Sequence, residues 1–167
     1  MKRSDSRKPN RWPGYNYSMP GWYFVTVCVK DFRCMLGTVI DREMRLNRLG
    51  IIVSETFKGI PNYYENVNLD EWIVMPNHLH GIIIVGNVGT AHDNISKNRY
   101  GLLSKVIKSF KEASVKKAKK MNIKFSWQRS FYDHVIGFNG YELQYIQEYI
   151  KNNPAKWKFD RNKESVW

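Results

Sequence analysis

Cysteine is scarce in this chain of 167 residues: Cys28 and Cys34 lie six positions apart, with no second pair to complete a zinc cluster or a disulfide framework. A reduced compartment suits such a sequence, so the expected location is cytoplasmic, at the nucleoid when bound to DNA. No apolar run approaches a membrane span, and the start, Met1-Lys-Arg-Ser-Asp-Ser-Arg-Lys-Pro-Asn-Arg-Trp12, lacks the apolar segment of a secretory signal. No membrane partner is expected. Acidic residues are also few, 15 Asp and Glu against 27 Lys and Arg, giving a formal charge of +12 and a pI near 9.7. That imbalance favours a polyanionic partner such as nucleic acid, the alternative being a merely soluble basic protein.

The length suits one domain with a real core. Residues 1–20 are basic and rich in Pro, Gly, Ser and Asn, and read as a loosely held arm able to lie along phosphates. A single domain is expected over 21–157, followed by a tail over 158–167 that leaves little room for a targeting domain. Gly21 to Val29 is dense in β-branched and aromatic residues and predicts a central strand. Residues 35–45 suggest a short hairpin. Leu49, Ile52, Val53 and Phe57 recur at helical spacing over 47–58. Strands are expected over 67–75 and 78–85 around a Pro76-Asn77 turn, then a polar loop over 86–98. Leu102, Leu103, Val106, Ile107, Phe110, Ala113, Val115 and Ala118 mark one face of a helix over 100–120. A strand over 132–138 and a helix over 141–152, stopped by Pro154, complete the order. Strand, helix, strand, strand, helix, strand is an α+β, ferredoxin-like split βαβ sandwich: an antiparallel sheet with helices on one face, plus an added C-terminal helix.

Histidine is scarce as well, four in all, and two fall in His78-Leu79-His80. Alternation in a strand puts both imidazoles on one side and Leu79 on the other, a geometry able to offer two nitrogen ligands to one divalent metal. On the last helix Tyr141, Tyr145, Tyr149 and Asn153 recur at steps of four, nearly on one stripe. Such a stripe usually means packing. A helix docked over the hairpin, however, could present Tyr149 as a nucleophile and the Asn153 amide oxygen as a third ligand, with Tyr145 a second candidate nucleophile. Mg²⁺ or Mn²⁺ is the expected metal, with zinc an alternative. His134 is a candidate acceptor for the phenolic proton, or equally a histidine held by a structural hydrogen bond.

Three segments carry a resemblance: Met75-Pro-Asn-His-Leu-His80, Trp127-Gln-Arg-Ser-Phe-Tyr-Asp-His-Val-Ile136 and Glu148-Tyr-Ile-Lys-Asn-Asn-Pro154. In that order, and with the similar run Tyr15 to Cys28, they resemble the REP-associated tyrosine transposases, single-tyrosine transposases of the HUH endonuclease superfamily. The likeness spans residues 15–157. It implies His78 and His80 as metal ligands, Tyr149 as nucleophile and Asn153 where related transposases have a glutamine. Gly137 stands where many relatives have a basic residue. The implied reaction is cleavage and rejoining of single-stranded DNA through a 5′-phosphotyrosine link, on hairpin-forming repetitive palindromic elements. A homodimer that exchanges helices stays open.

Between residues 97 and 124 ten basic residues face one acid, Glu112. Lys105, Lys108, Lys116 and Arg129 are the expected phosphate contacts. Trp127, Phe131 or Tyr132 could stack bases at ~1–3 kcal/mol each, core packing of Phe131 being the stronger alternative. Two rival readings remain: a ferredoxin-like nucleic-acid-binding module without chemistry, and a metal-dependent phosphodiesterase that uses water.

Overall fold

The run Gly21-Trp-Tyr-Phe-Val-Thr-Val-Cys28 forms strand β1, buried along almost its whole length, as its apolar character on both faces requires. The computed structural model describes residues 19–86, 101–137 and 140–159. Residues 1–18, 87–100, 138–139 and 160–167 lie outside them, and with them most of the expected arm, polar loop and tail and the last residue of the expected 132–138 strand.

Strands β2 (Gly37–Ile40) and β3 (Glu43–Leu46) make a small separate hairpin. Its two-residue turn places Asp41 and Arg42 at φ 51° and 65°, the left-handed pair that matches strand twist. Helix α1 (Arg48–Lys58) starts at Asn47, whose side-chain oxygen accepts from the Gly50 N–H at 3.0 Å. Strands β4 (Val67–Val74) and β5 (His78–Val85) follow, closed by the Met75 N–H donating to the His78 carbonyl at 2.8 Å. Helix α2 (Leu102–Lys120), strand β6 (Tyr132–Ile136) and helix α3 (Gly140–Asn152) complete the chain, with a 3₁₀ segment over Pro154–Phe159.

The main sheet has the order β4-β5-β1-β6 with every neighbouring pair antiparallel, the ferredoxin-like arrangement expected. One face carries Tyr23, Val25, Val27, Leu79 and Ile83 and packs against Val53 and Phe57 of α1 and Val106, Ile107 and Phe110 of α2. The opposite face carries Phe24, Ile82 and Ile136 and packs against Ile146 and Ile150 of α3. Among the described residues α3 is therefore the one α-helix on the histidines' side of the sheet. No helix among the described residues is long and apolar enough to cross a membrane.

The inner face of α2 departs from expectation at one position. Ser114 is fully buried while Ala113 and Val115 are only half-buried. Its hydroxyl accepts the Trp127 indole N–H at 2.9 Å, which explains a polar residue there, since a buried indole needs an acceptor.

Gly81 lets α1 approach the sheet directly beneath the histidine strand. A Cβ there would lie 2.7 Å from Cζ of the fully buried Phe57 and 3.1 Å from Cβ of Trp72. Gly81→Ala is expected to lower stability by ~1–3 kcal/mol, read as a shift in urea midpoint, because the ring has no free volume to enter. An unchanged midpoint would show that Phe57 yields.

Candidate functional site

Alternation along β5 sends Leu79 into the α1/α2 core and turns His78 and His80 toward α3, all three fully buried. The two Nε2 atoms sit 3.0 Å apart. Behind His78, Asn77 donates its amide N–H to the Phe32 carbonyl at 2.9 Å, which turns Oδ1 toward His78 Nδ1 at 2.7 Å. That oxygen needs a proton on Nδ1, and a neutral ring protonated there leaves Nε2 bare. Behind His80, the Thr26 hydroxyl lies 2.9 Å from Nδ1 and can either give or take a proton. The Phe24 ring stacks on His80 with centroids 5.3 Å apart.

The steps of four along α3 are not equivalent. Each step overshoots one helical turn by about 40°, so the stripe winds round the helix. Tyr141 is 88% exposed, Tyr145 72%, Tyr149 half-buried and Asn153 only 3% exposed. The winding brings Tyr149 to the histidines: its hydroxyl is 3.4 Å from His80 Nε2, and the two ring centroids are 5.3 Å apart. Tyr145 faces solvent instead, which separates it from the histidine pair. One turn beyond Tyr149, Asn153 Oδ1 is buried without a hydrogen-bond partner among the described residues. The following segment then carries Trp157 to His78, 6.1 Å between ring centroids.

A β-bulge aims the helix. Pairing of β4 with β5 shifts between Leu69 and Trp72, so the consecutive acids Asp70 and Glu71 both reach α3. Gln147 donates to Asp70 Oδ2 at 2.6 Å, and Lys151 Nζ lies 2.9 Å from Glu71 Oε1. Gln147 and Lys151 are each two residues from Tyr149, so both holds lie on the side of the helix away from it.

His134 takes the structural hydrogen bond, the second of its two expected readings. Its Nε2 lies 2.7 Å from Glu142 Oε1, while Glu142 Oε2 accepts from the Gly137 N–H at 2.6 Å. The hydrogen bonds from His134 and then Gly137 hold the Glu142 carboxyl below its usual range. Glu142 lies in the first turn of α3, about 10 Å of axial rise from Tyr149, so His134 ties the helix start to β6.

Trp127 lies in the core: it is 8% exposed, its N–H is taken by Ser114, and its ring packs on Phe110 and Phe125. Phe131 is buried with it, whereas Tyr132 is 41% exposed on the α3 side. Lys105, Lys108, Lys116 and Arg129 are all exposed. The α2 lysines stand on the layer opposite the histidines. Lys111 differs from them, since its ammonium donates to the Gln128 and Ser130 carbonyls at 2.8 Å each.

Sequence reasoning missed Thr26, Asn77 and Trp157. Asn77 had a readable signal in its place next to His78, but Thr26 reaches His80 only through the β1–β5 register, which pairs those two residues.

No family model matches the chain. An uncharacterized protein of Haemophilus influenzae is 35% identical over 166 residues, covering 93% of this chain and 92% of that protein. Among solved structures, a REP-associated tyrosine transposase bound to a REP hairpin is similar with a TM-score of 0.58 at 18% identity, over 88% of this chain and 74% of that one. This second likeness is one of fold.

Burial lowers the Lys111 pKa from its ordinary 10.5 to about 8, against a smaller upward pull from Cys28. Between those pH values the unfolded chain holds the proton that the folded one has released, so this group's contribution to stability rises with pH. The stability of the native protein relative to Lys111→Met is expected to climb from pH 8 to 10.5 in parallel urea titrations. A flat difference would refute the shift.

Proposed function

We propose, from the premise that the chain belongs to one family with the Haemophilus influenzae protein and has the fold of the REP-associated tyrosine transposase, that it is a transposase or endonuclease acting on DNA through Tyr149. Its substrate on this reading is single-stranded DNA beside a hairpin, the neighbouring structure being bound to a REP hairpin. Its place of action is the cytoplasm, at the nucleoid. The observation that carries the proposal is the Tyr149 hydroxyl 3.4 Å from His80 Nε2, itself 3.0 Å from His78 Nε2.

The donor set fits a divalent metal. Neutral imidazole nitrogens and an amide oxygen are donors that such an ion accepts. The two Nε2 atoms of the buried pair lie 3.0 Å apart, and the Asn153 Oδ1 without a partner supplies an oxygen donor on the adjoining helix end. His78, His80 and Asn153 would hold Mg²⁺ or Mn²⁺, whose chemistry there is to draw electron density from a phosphoryl group.

The remaining work falls to the chain. Asn77 and Thr26 orient the imidazoles, and Phe24 holds His80 and Tyr149 in fixed contact. Tyr149 forms its O–P bond as the bond to the 3′ oxygen breaks, giving a 5′-phosphotyrosine and a free 3′ hydroxyl. The phenol's proton leaves to water, and the departing oxygen takes one up. A hydroxyl from another strand reverses the step, so the strand is rejoined without ATP.

Incubation with labelled hairpin DNA bearing a single-stranded flank is expected to give an adduct that survives denaturation, requires Mg²⁺ or Mn²⁺ over EDTA, and vanishes in Tyr149→Phe. Asn77→Ala should raise the metal concentration for half-maximal adduct by about ten- to a hundredfold. An adduct that persists in Tyr149→Phe would move the nucleophile, and cleavage without an adduct would assign the chemistry to water. Binding without cleavage would leave a non-catalytic module.

A further inference from the structure

Aromatic side chains are rarely left on a helix in water, yet α3 exposes two in line with the half-buried Tyr149. Tyr141 is 88% and Tyr145 72% exposed, whereas a packing stripe would be covered. Tyr132, 41% exposed on the sheet face that α3 covers, adds a third open ring, its edge against Phe24, which also touches Tyr149. The rings of Tyr141 and Tyr145 start about 6 Å apart along the axis, the rise of four helical residues.

We infer that Tyr145 and Tyr141 form a base-stacking track along which the single strand of the substrate runs to or from Tyr149, an inference that rests on the DNA-cleaving role proposed above. Three features favour a nucleic-acid strand over another occupant. The stripe leads along the helix to the proposed nucleophile, each tyrosine one turn and about 40° from the next, so a strand following it arrives at Tyr149. The chain carries a formal charge of +12, which draws in a polyanion, yet the one lysine of α3, Lys151, is held by Glu71 on another side of the helix. The acids flanking the tyrosines, Glu142 and Glu148, repel phosphates, so contact there falls to the faces of bases. Stacking on tyrosine requires no particular base, which suits a flank threaded past a fixed nucleophile.

The test is fluorescence anisotropy on labelled hairpins with and without a single-stranded flank, in EDTA so that binding is read apart from cleavage. Tyr145→Ala and Tyr141→Ala should each weaken binding of the flanked hairpin by about five- to a hundredfold while leaving the bare hairpin unchanged. Tyr145→Phe should bind as the native protein does, because stacking needs the ring and not the hydroxyl, and abasic sites in the flank should mimic the alanine variants. Flanked DNA bound equally by native and Tyr145→Ala/Tyr141→Ala protein overturns the track. Loss of a dimer in those variants, by sedimentation, also overturns it by making the stripe an interface between copies. Tyrosine-dependent binding with no covalent adduct would uphold the track while removing the cleavage reading, and an adduct with tyrosine-independent binding would do the reverse.

Discussion

Two imidazole nitrogens 3.0 Å apart in a fully buried setting need a positive centre between them, either a proton or a cation. Asn77 removes one degree of freedom by keeping the proton of His78 on the far side of its ring. Thr26 leaves the other free. When its hydroxyl donates to His80 Nδ1, His80 carries its proton on Nε2 and satisfies His78 directly; when it accepts, both inner nitrogens are bare and a metal can take the proton's place. On the function proposed above, one threonine hydroxyl would let the pair stand without a ligand and also accept one. The rest of the fold serves to keep that pair buried and aimed.

Burial is achieved from both sides of β5. Leu79 anchors the strand in the larger core, and Gly81 lets Phe57 come close enough to stiffen it from below. On the other side the smaller cluster of Phe24, Ile82, Ile136, Ile146 and Ile150 seats α3. Apolar contact sets the distance of a helix from a sheet but allows it to slide and rotate, so the polar holds matter for aim more than for energy. The half-exposed pair Lys151–Glu71 is worth under about 1 kcal/mol, yet with Gln147–Asp70 it fixes the rotation of α3 from the side of the helix away from Tyr149. The His134–Glu142–Gly137 link does the same at the start of the helix.

The sequence made much of this legible because its strongest signals are local. The apolar period of α1 and α2, the β-branched run of β1 and the alternation through His78-Leu79-His80 each report an element and its inward face. What stayed hidden depends on register or on small angles. Thr26 acquires its role by lying opposite His80, and no local pattern announces a pairing across 54 residues. The bulge that turns both Asp70 and Glu71 toward α3 breaks the alternation from which strand faces are read. Trp127 looked like a stacking residue because it sits in a basic, polar stretch, but Ser114 offered the acceptor that lets it enter the core. Tyr145 and Tyr149 were indistinguishable by spacing, since only the winding of the stripe and the seating of the helix decide which phenol meets the histidines.

The same winding bears on how charge and chemistry divide across the molecule. The lysines of α2 and the histidine–tyrosine pair occupy opposite layers, with a sheet about 10 Å from the helices on each side. A DNA that touched both would have to pass round an edge of the sheet, and Arg129, just before edge strand β6 and near exposed Tyr132, lies where such a path would cross. On the function proposed above, phosphate attraction from α2 would draw DNA to the surface without selecting a position, salt limiting its reach to about 8–10 Å. It cannot place one phosphate at Tyr149. On that reading placement would come from contacts on the α3 layer itself, where the open side chains along the stripe are aromatic, and gathering DNA and aligning it would be separate tasks.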